Sequence, residues 1–228
     1  MKKVLISILF LVFSFGCASA DKVLVTDDGA MTKAEIEFIN SAEKMRVFKN
    51  DIEKEDAVLR NVSKKALMNS AGYDTLEEKM MEALLEEKGV GIAAPQVGIN
   101  RRVIIVQRLD KEEKPLEFYY NPVITKKRGE LIEGWEGCLS VPEGFGKVMR
   151  VQDIDIEYDK NENGKIVRVK EKINEWTAVI FQHEIDHLDG ILFIDKKSEG
   201  ELVPKEEYYE MRKKEKEKAE SAESQESN

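Results

Sequence analysis

Apolar positions along this chain change their spacing, and each spacing predicts a different element. Over residues 76–88, Leu76, Met80, Met81, Leu84 and Leu85 recur at three and four, the period of a helix with one buried stripe. Gly89 and Gly91 follow and predict its stop. Residues 103–106, 118–125 and 131–132 then carry strand-like sequence, and Ile154, Ile156 and Tyr158 alternate with the period of two that a half-buried strand needs. Asn161-Glu162-Asn163-Gly164 predicts a hairpin loop before Ile166, Val167 and Val169. Helical spacing returns over residues 176–188, and Asp189-Gly190 closes it ahead of an apolar run at 191–194. Helices segregated from a run of strands predict an α+β fold, and the sequence contains no internal repeat.

The two ends differ from this middle. Lys2 and Lys3 precede an apolar run over residues 4–15, followed by small residues, which is the pattern of a signal peptide and too short for a permanent membrane-spanning helix. Ala18-Ser19-Ala20 before Asp21 has the form of a cleavage site, while Gly16-Cys17 resembles the end of a lipoprotein box, with Phe15 untypical there. The expectation is export, as a cleaved soluble product or one lipid-anchored at Cys17; a cytoplasmic protein is the alternative if the signal is not used. Residues 21–48 read as a polar extension in which Ile36, Ile39 and Met45 could form one face of a helix, residues 49–197 as the domain, and residues 198–228 as a charged tail. In that tail Tyr208 and Met211 could dock a short helix, whereas the stretch from 219 is too polar to order itself.

Composition narrows the function classes. A net charge of -9 argues against a phosphate-binding surface, and the one dense basic run, residues 212–218, is interleaved with Glu. No nucleic-acid partner is expected. The cysteines are Cys17 and Cys138, and the first is either removed or acylated under the two processing readings, so no disulfide framework within the chain is expected.

The chemistry concentrates in His183-Glu184-Ile185-Asp186-His187, inside the predicted last helix. Residues four apart share a helix face, so both imidazoles can aim at one divalent ion. Glu184 lies about 100° around from His183, close enough for its carboxylate to reach a water at the ion without being a ligand. His183 and His187 are the only histidines of the chain, and both fall at ligand spacing around a glutamate. A hydrolytic metal site needs a third protein donor and an open position. Cys138, in Glu136-Gly137-Cys138-Leu139-Ser140, is the natural candidate for a soft divalent ion, although a lone cysteine taken by itself is more often a core residue.

Three segments together resemble the signature of peptide deformylases: Gly89-Val90-Gly91-Ile92-Ala93-Ala94-Pro95-Gln96, then Glu136-Gly137-Cys138-Leu139-Ser140, then Gln182-His183-Glu184-Ile185-Asp186-His187-Leu188. They stand in the family's order, and the likeness spans residues 50–197. It implies antiparallel sheets packed around a central helix that bears the histidines, and hydrolysis of the N-formyl group from formyl-methionyl peptides or nascent-chain N termini, releasing formate. On this resemblance Cys138, His183 and His187 bind one divalent metal, Fe2+ in most members, with Zn2+, Ni2+ or Co2+ as substitutes. Glu184 is the general base and acid, and Gln96 and the Leu139 N–H hold the oxyanion. Gly89, Gly91, Ile92, Gly137 and Arg150 line up with substrate-binding positions. Phe145 departs from the pattern, because many members carry arginine there. Two other readings stand beside this one. The first is a zinc endopeptidase drawing its third ligand from a downstream residue such as Glu206 or Glu207; the second is an exported, non-enzymatic metal-binding protein of the same fold.

Overall fold

A computed structural model describes residues 28–226, with side chains to residue 221; the signal-like residues 1–20, Cys17 included, lie outside the described residues. Five helices, α1 (Lys33–Ser41), α2 (Glu53–Leu59), α3 (Tyr73–Glu87), α4 (Glu175–Leu188) and α5 (Lys205–Glu226), accompany five strands among the described residues. The strands are β1 (Gly91–Ala93), β2 (Val103–Gln107), β3 (Leu116–Cys138), β4 (Val141–Glu162) and β5 (Lys165–Asn174). They form one antiparallel sheet in the order β1-β2-β3-β4-β5, so every strand pairs with its chain neighbours. The expected α+β fold of antiparallel strands with helices is present, and among the described residues the strands join in one sheet. Its two long strands pair with register shifts between Tyr120 and Val123, Ile124 and Lys126, Arg128 and Leu131, and Glu136 and Cys138. Each shift puts unmatched residues in the ladder, which bends the strand and interrupts the alternation. That is why residues 118–125 and 131–132 read as separate strands in sequence. The β4–β5 turn has Asn163 at φ 53° and Gly164 at φ 83°, the two left-handed positions of a type I′ hairpin.

α4 is buried on nearly every side. Ala178, Phe181, Ile185 and Leu188 pack with Ile104, Tyr119, Ile154, Ile156 and Ile173 of the sheet, so the helix's apolar face is part of the core, while it also buries the polar Gln182, Glu184 and His187. Tyr119 meets Phe181 edge to face, with ring centroids 4.7 Å apart. The buried Gln182 amide fixes the helix against β4: its Nε2 donates to Val151 O at 2.9 Å, and its Oε1 accepts from Val151 N at 3.4 Å. One residue later comes His183, so this bond sets the height at which the histidines stand.

A second cluster forms where α1 and α3 pack beside β1 and β2. Met31, Ile39, Met45 and Val47 are buried there with Leu76, Met80, Leu84 and Ile105. Of the segment read as an extension, residues 31–47 therefore contribute to the domain's core. A capping box starts α1, with Thr32 Oγ1 accepting from Glu35 N and Glu35 Oε2 accepting from Thr32 N. The same Glu35 carboxylate receives both prongs of the buried Arg101 guanidinium at 2.8 Å each, anchoring the short helix. At the end of α3 the left-handed cap is Lys88, at φ 54°, instead of Gly89. The adjacent glycines serve a different need, described below.

α5 runs to Glu226, past the point where the polar sequence predicted disorder. Its residues are strong helix formers, and Lys216 pairs with Glu220 one turn on. The chain just before it is tied to the sheet: Phe145 and Val203 exchange backbone hydrogen bonds of 2.8 Å in both directions. Among the described residues no helix is long and apolar enough to cross a membrane.

Candidate metal centre

Two elements bring the donors together. Cys138 is the last residue of β3, and the two-residue turn Leu139-Ser140 leads straight into β4, where Val141 pairs back with Cys138. His183 and His187 are one turn apart on α4, with ring centroids 5.0 Å apart. Cys138 Sγ lies 3.2 Å from His187 Nε2. The ligand atoms of Cys138, His183 and His187 all fall within 4.8 Å of one another. Donors around one tetrahedral ion stand roughly 3.3–3.6 Å apart, so the arrangement fits a divalent cation with modest adjustment. Charge acts differently on the two histidines. His187 is pushed well down by burial and by the neighbouring His183, which favours the neutral imidazole a ligand must be. His183 is pushed up in spite of its burial, because Cys138 and Glu136 both favour positive charge between them. Among the described residues this is the only group of three such side chains so placed, and Glu206 and Glu207 of α5 are not in it. Neither glutamate supplies a third donor to this group; Cys138 does.

Behind the donors is a buried ionic chain that sequence reasoning missed. His183 Nδ1 stands 2.9 Å from Glu136 Oε2, which aims Nε2 at the centre. Glu136 is gripped by Arg150 through Nε at 2.7 Å and Nη2 at 2.9 Å. Arg150 Nη1 reaches Asp186 Oδ2 at 2.5 Å, and Lys196 Nζ meets the other Asp186 oxygen at 2.6 Å. Burial works against the Glu136 charge, yet Arg150 and His183 hold its carboxyl down at about 2. Arg150, expected among substrate-binding residues, is 5% exposed and lies outside the cavity lining. Its work here is to position Glu136 and through it His183. The signal was present in principle, because Glu136 and Asp186 flank the ligands inside the motifs, but charged residues read by default as solvated.

Glu184 sits beside the donors and is 4% exposed. Burial raises its carboxyl to about 7, near the pH at which a base must both take and return a proton. Its Oε2 has no hydrogen-bond partner among the described residues. The other oxygen lies over Gly91, where an added Cβ would meet Oε1 at 2.5 Å. Gly91 therefore lacks a side chain so that the carboxylate can lie against the backbone. Gly89 is pressed by Leu84 and Leu139 at 2.7 and 3.0 Å in the same test, and Gly137 by the Phe145 ring at 2.5 Å.

Gln96 stands in a short 3-10 turn, Ala94–Val97. Its Oε1 accepts from Ala93 N at 2.8 Å, leaving Nε2 to face Ser140 Oγ at 3.1 Å and Cys138 Sγ at 3.6 Å. The amide is thus oriented with its donor toward the centre. Leu139 occupies the turn after Cys138, and its carbonyl is held by Lys49 Nζ at 2.7 Å, a contact no motif suggested. Gly89, Gly91, Gln96, Gly137, Leu139 and Glu184 line one cavity of about 450 Å³ together with Cys138 and His183. Ile92 does not; its side chain is fully buried in the α1–α3 core. Alternation along β1 accounts for this, since Ile92 points to the face opposite that of Gly91.

The same stretch of chain is similar to known proteins. The family model for polypeptide deformylase matches residues 50–202. A peptide deformylase of Thermus thermophilus is 40% identical over 155 residues, covering 62% of this chain and 78% of its own. One from Pelotomaculum thermopropionicum is 42% identical over 157 residues, covering 68% and 96%. Among solved structures, the class I type b peptide deformylase of Acinetobacter baumannii bound to Met-Ala-Ser aligns with a TM-score of 0.58 at 33% identity, over 67% of this chain and 98% of that one. The Thermotoga maritima peptide deformylase aligns with a TM-score of 0.60 at 33% identity, over 69% and 100%.

Proposed function

Because this chain belongs to the peptide deformylase family, we propose that Glu184 is its general base and acid, that Gln96 and the Leu139 N–H form its oxyanion hole, and that it acts outside the cytosol. The reaction itself is the metal-dependent removal of the formyl group from formyl-methionyl peptides, with formate as the product. One divalent ion belongs at the Cys138, His183 and His187 cluster. When bound there it supplies Lewis acidity, so that hydroxide is available near neutral pH.

The chain's own groups then divide the work. Glu184, raised to about 7 and standing at the cavity wall, takes the proton of the attacking water as the oxygen adds to the formyl carbon. As the carbonyl oxygen gains charge, Gln96 Nε2 and the Leu139 N–H donate to it. Their orientation is set in advance by the Ala93 N–H and by Lys49, so little rearrangement accompanies the charge. When the C–N bond breaks, Glu184 returns its proton to the departing amine of methionine. Glu184 is itself almost wholly buried in the cavity wall, which keeps bulk solvent from its carboxylate.

The observation that carries this reading is the convergence of three buried or half-buried donors beside a lifted, unpartnered carboxylate oxygen. We infer that the ion is ferrous iron under reducing conditions and zinc where oxygen has access, since the thiolate and two imidazoles accept either. The signal-like residues 1–20 support export, with formylated peptides outside the cytosol as substrates. Metal analysis of anaerobically purified protein, coupled to formate release from formyl-Met-Ala-Ser, tests the centre. Cys138→Ala is expected to lose both metal and turnover. Casein cleavage without formate release would overturn the reading. Cell fractionation with Cys17→Ser beside wild type tests the location.

A further inference from the structure

The C-terminal helix contributes a wall to the same cavity that holds the donors. Tyr209 and Lys205 of α5 line it, opposite residues of β3 and α4. This wall is built in, because Gly144 lets Val203 approach within a distance that any Cβ would forbid: an added carbon would stand 2.1 Å from Val203 O. Phe145 then stacks face to face on Tyr208, centroids 3.9 Å apart and planes 13° apart, with Trp135 tilted against the same tyrosine at 5.6 Å. The departure from arginine at 145 is thus explained: an apolar ring is what Tyr208 of α5 packs upon. Next to this cluster Tyr209 remains 61% exposed, and Trp176 on the first turn of α4 is 60% exposed. Both border the cavity, and neither is needed to cover the core.

Resting on the deformylase reading, the geometry points to an aromatic clamp, Trp176 and Tyr209, that grips the peptide residues following the formyl-methionine and favours apolar or aromatic side chains there. The formyl carbon must reach Cys138, His183 and Glu184, so the peptide beyond methionine has to run along the cavity that these donors share with the two rings. Exposed aromatic rings beside a cavity gain contact area when a partner ring covers them, at small cost in side-chain freedom. The cavity is continuous from the donors to the clamp, so one extended substrate occupies both.

The test compares kcat/KM for formyl-Met-Phe-Ser and formyl-Met-Ala-Ser with the full-length holoenzyme and its Tyr209→Ala, Trp176→Ala and Tyr209→Phe variants. Wild type is expected to prefer the phenylalanine peptide, and each alanine variant to reduce that preference by about three- to tenfold, the worth of one aromatic contact. Tyr209→Phe should keep it. Equal losses on both peptides, or no preference in wild type, would overturn the clamp. Fluorescence titration with the unformylated peptides Met-Phe-Ser and Met-Ala-Ser separates the two readings. If no formate is released but Met-Phe-Ser still binds more tightly in a Tyr209-dependent way, the clamp stands and the catalytic reading fails; indistinguishable binding overturns the clamp.

Discussion

Replacing Gly91 by alanine should damage catalysis while leaving the fold and the metal centre in place. The new Cβ would lie 2.5 Å from Glu184 Oε1, 2.9 Å from its Cδ and 3.0 Å from its Cγ. Ordinary contact between such atoms is about 3.4 Å or more, so the carboxylate must retreat by most of an ångström. It cannot swing outward freely, because Glu184 is almost wholly buried on a helix pinned by Gln182. A misplacement of about 1 Å typically costs about a hundredfold in rate, and that loss should appear in kcat. Stability should change little. No left-handed backbone is required at Gly91, and restricting the unfolded chain offsets the strain by about 0.4–1 kcal/mol. Formate release measured alongside metal content and thermal unfolding separates the possibilities. A variant with full kcat would refute the claim that the glycine exists to seat the carboxylate; a variant that unfolds or loses its metal would show that the contact supports the fold instead.

Glu184→Gln should cut turnover by about 10²- to 10⁴-fold with metal content unchanged, since it removes the proton carrier and no ligand; metal analysis beside formate release checks this. Gln96→Ala should cost about 10²- to 10³-fold in kcat, read in the same assay. Glu136→Ala leaves the Arg150 guanidinium buried without its two-pronged partner. It should cost about 3–5 kcal/mol in urea unfolding and weaken metal binding about 10- to 100-fold in a chelator competition. The Arg101–Glu35 pair gives a pH signature. Arg101 and the Thr32 N–H hold the Glu35 carboxyl below its ordinary value although burial opposes them. Its contribution to stability is therefore present above the usual glutamate range and fades as pH falls through the lowered folded value. Urea unfolding of wild type and Glu35→Gln should accordingly differ at neutral pH and converge in acid.

Much of the site was legible because its chemistry falls in short contiguous motifs. The His183–His187 spacing needs only a helix to become a ligand pair, and the apolar period over residues 176–188 supplied that helix. α3 was legible for the same reason. What escaped reading has a common physical cause, in that its meaning depends on partners distant in sequence. Glu136, Arg150 and Asp186 look like solvated charges until β3, β4 and α4 come together. The length of β3 was hidden by its register shifts, which break the alternation a strand is recognised by. The helical face of Ile36 and Ile39 was legible, and α1 carries both, but its anchoring by Arg101 was not, because that contact joins residues far apart in sequence.

Cys138 and His183 are 183 - 138 = 45 positions apart, and the whole of β4 and β5 lies between them. An ion joining the two ends would staple that hairpin shut, an effect of about 4 kcal/mol by the loop-closure relation used for covalent cross-links. The catalytic cofactor would then also act as a fastener of the architecture. Chelation should lower the unfolding temperature as well as silence the enzyme, with the two effects tracking the same metal titration.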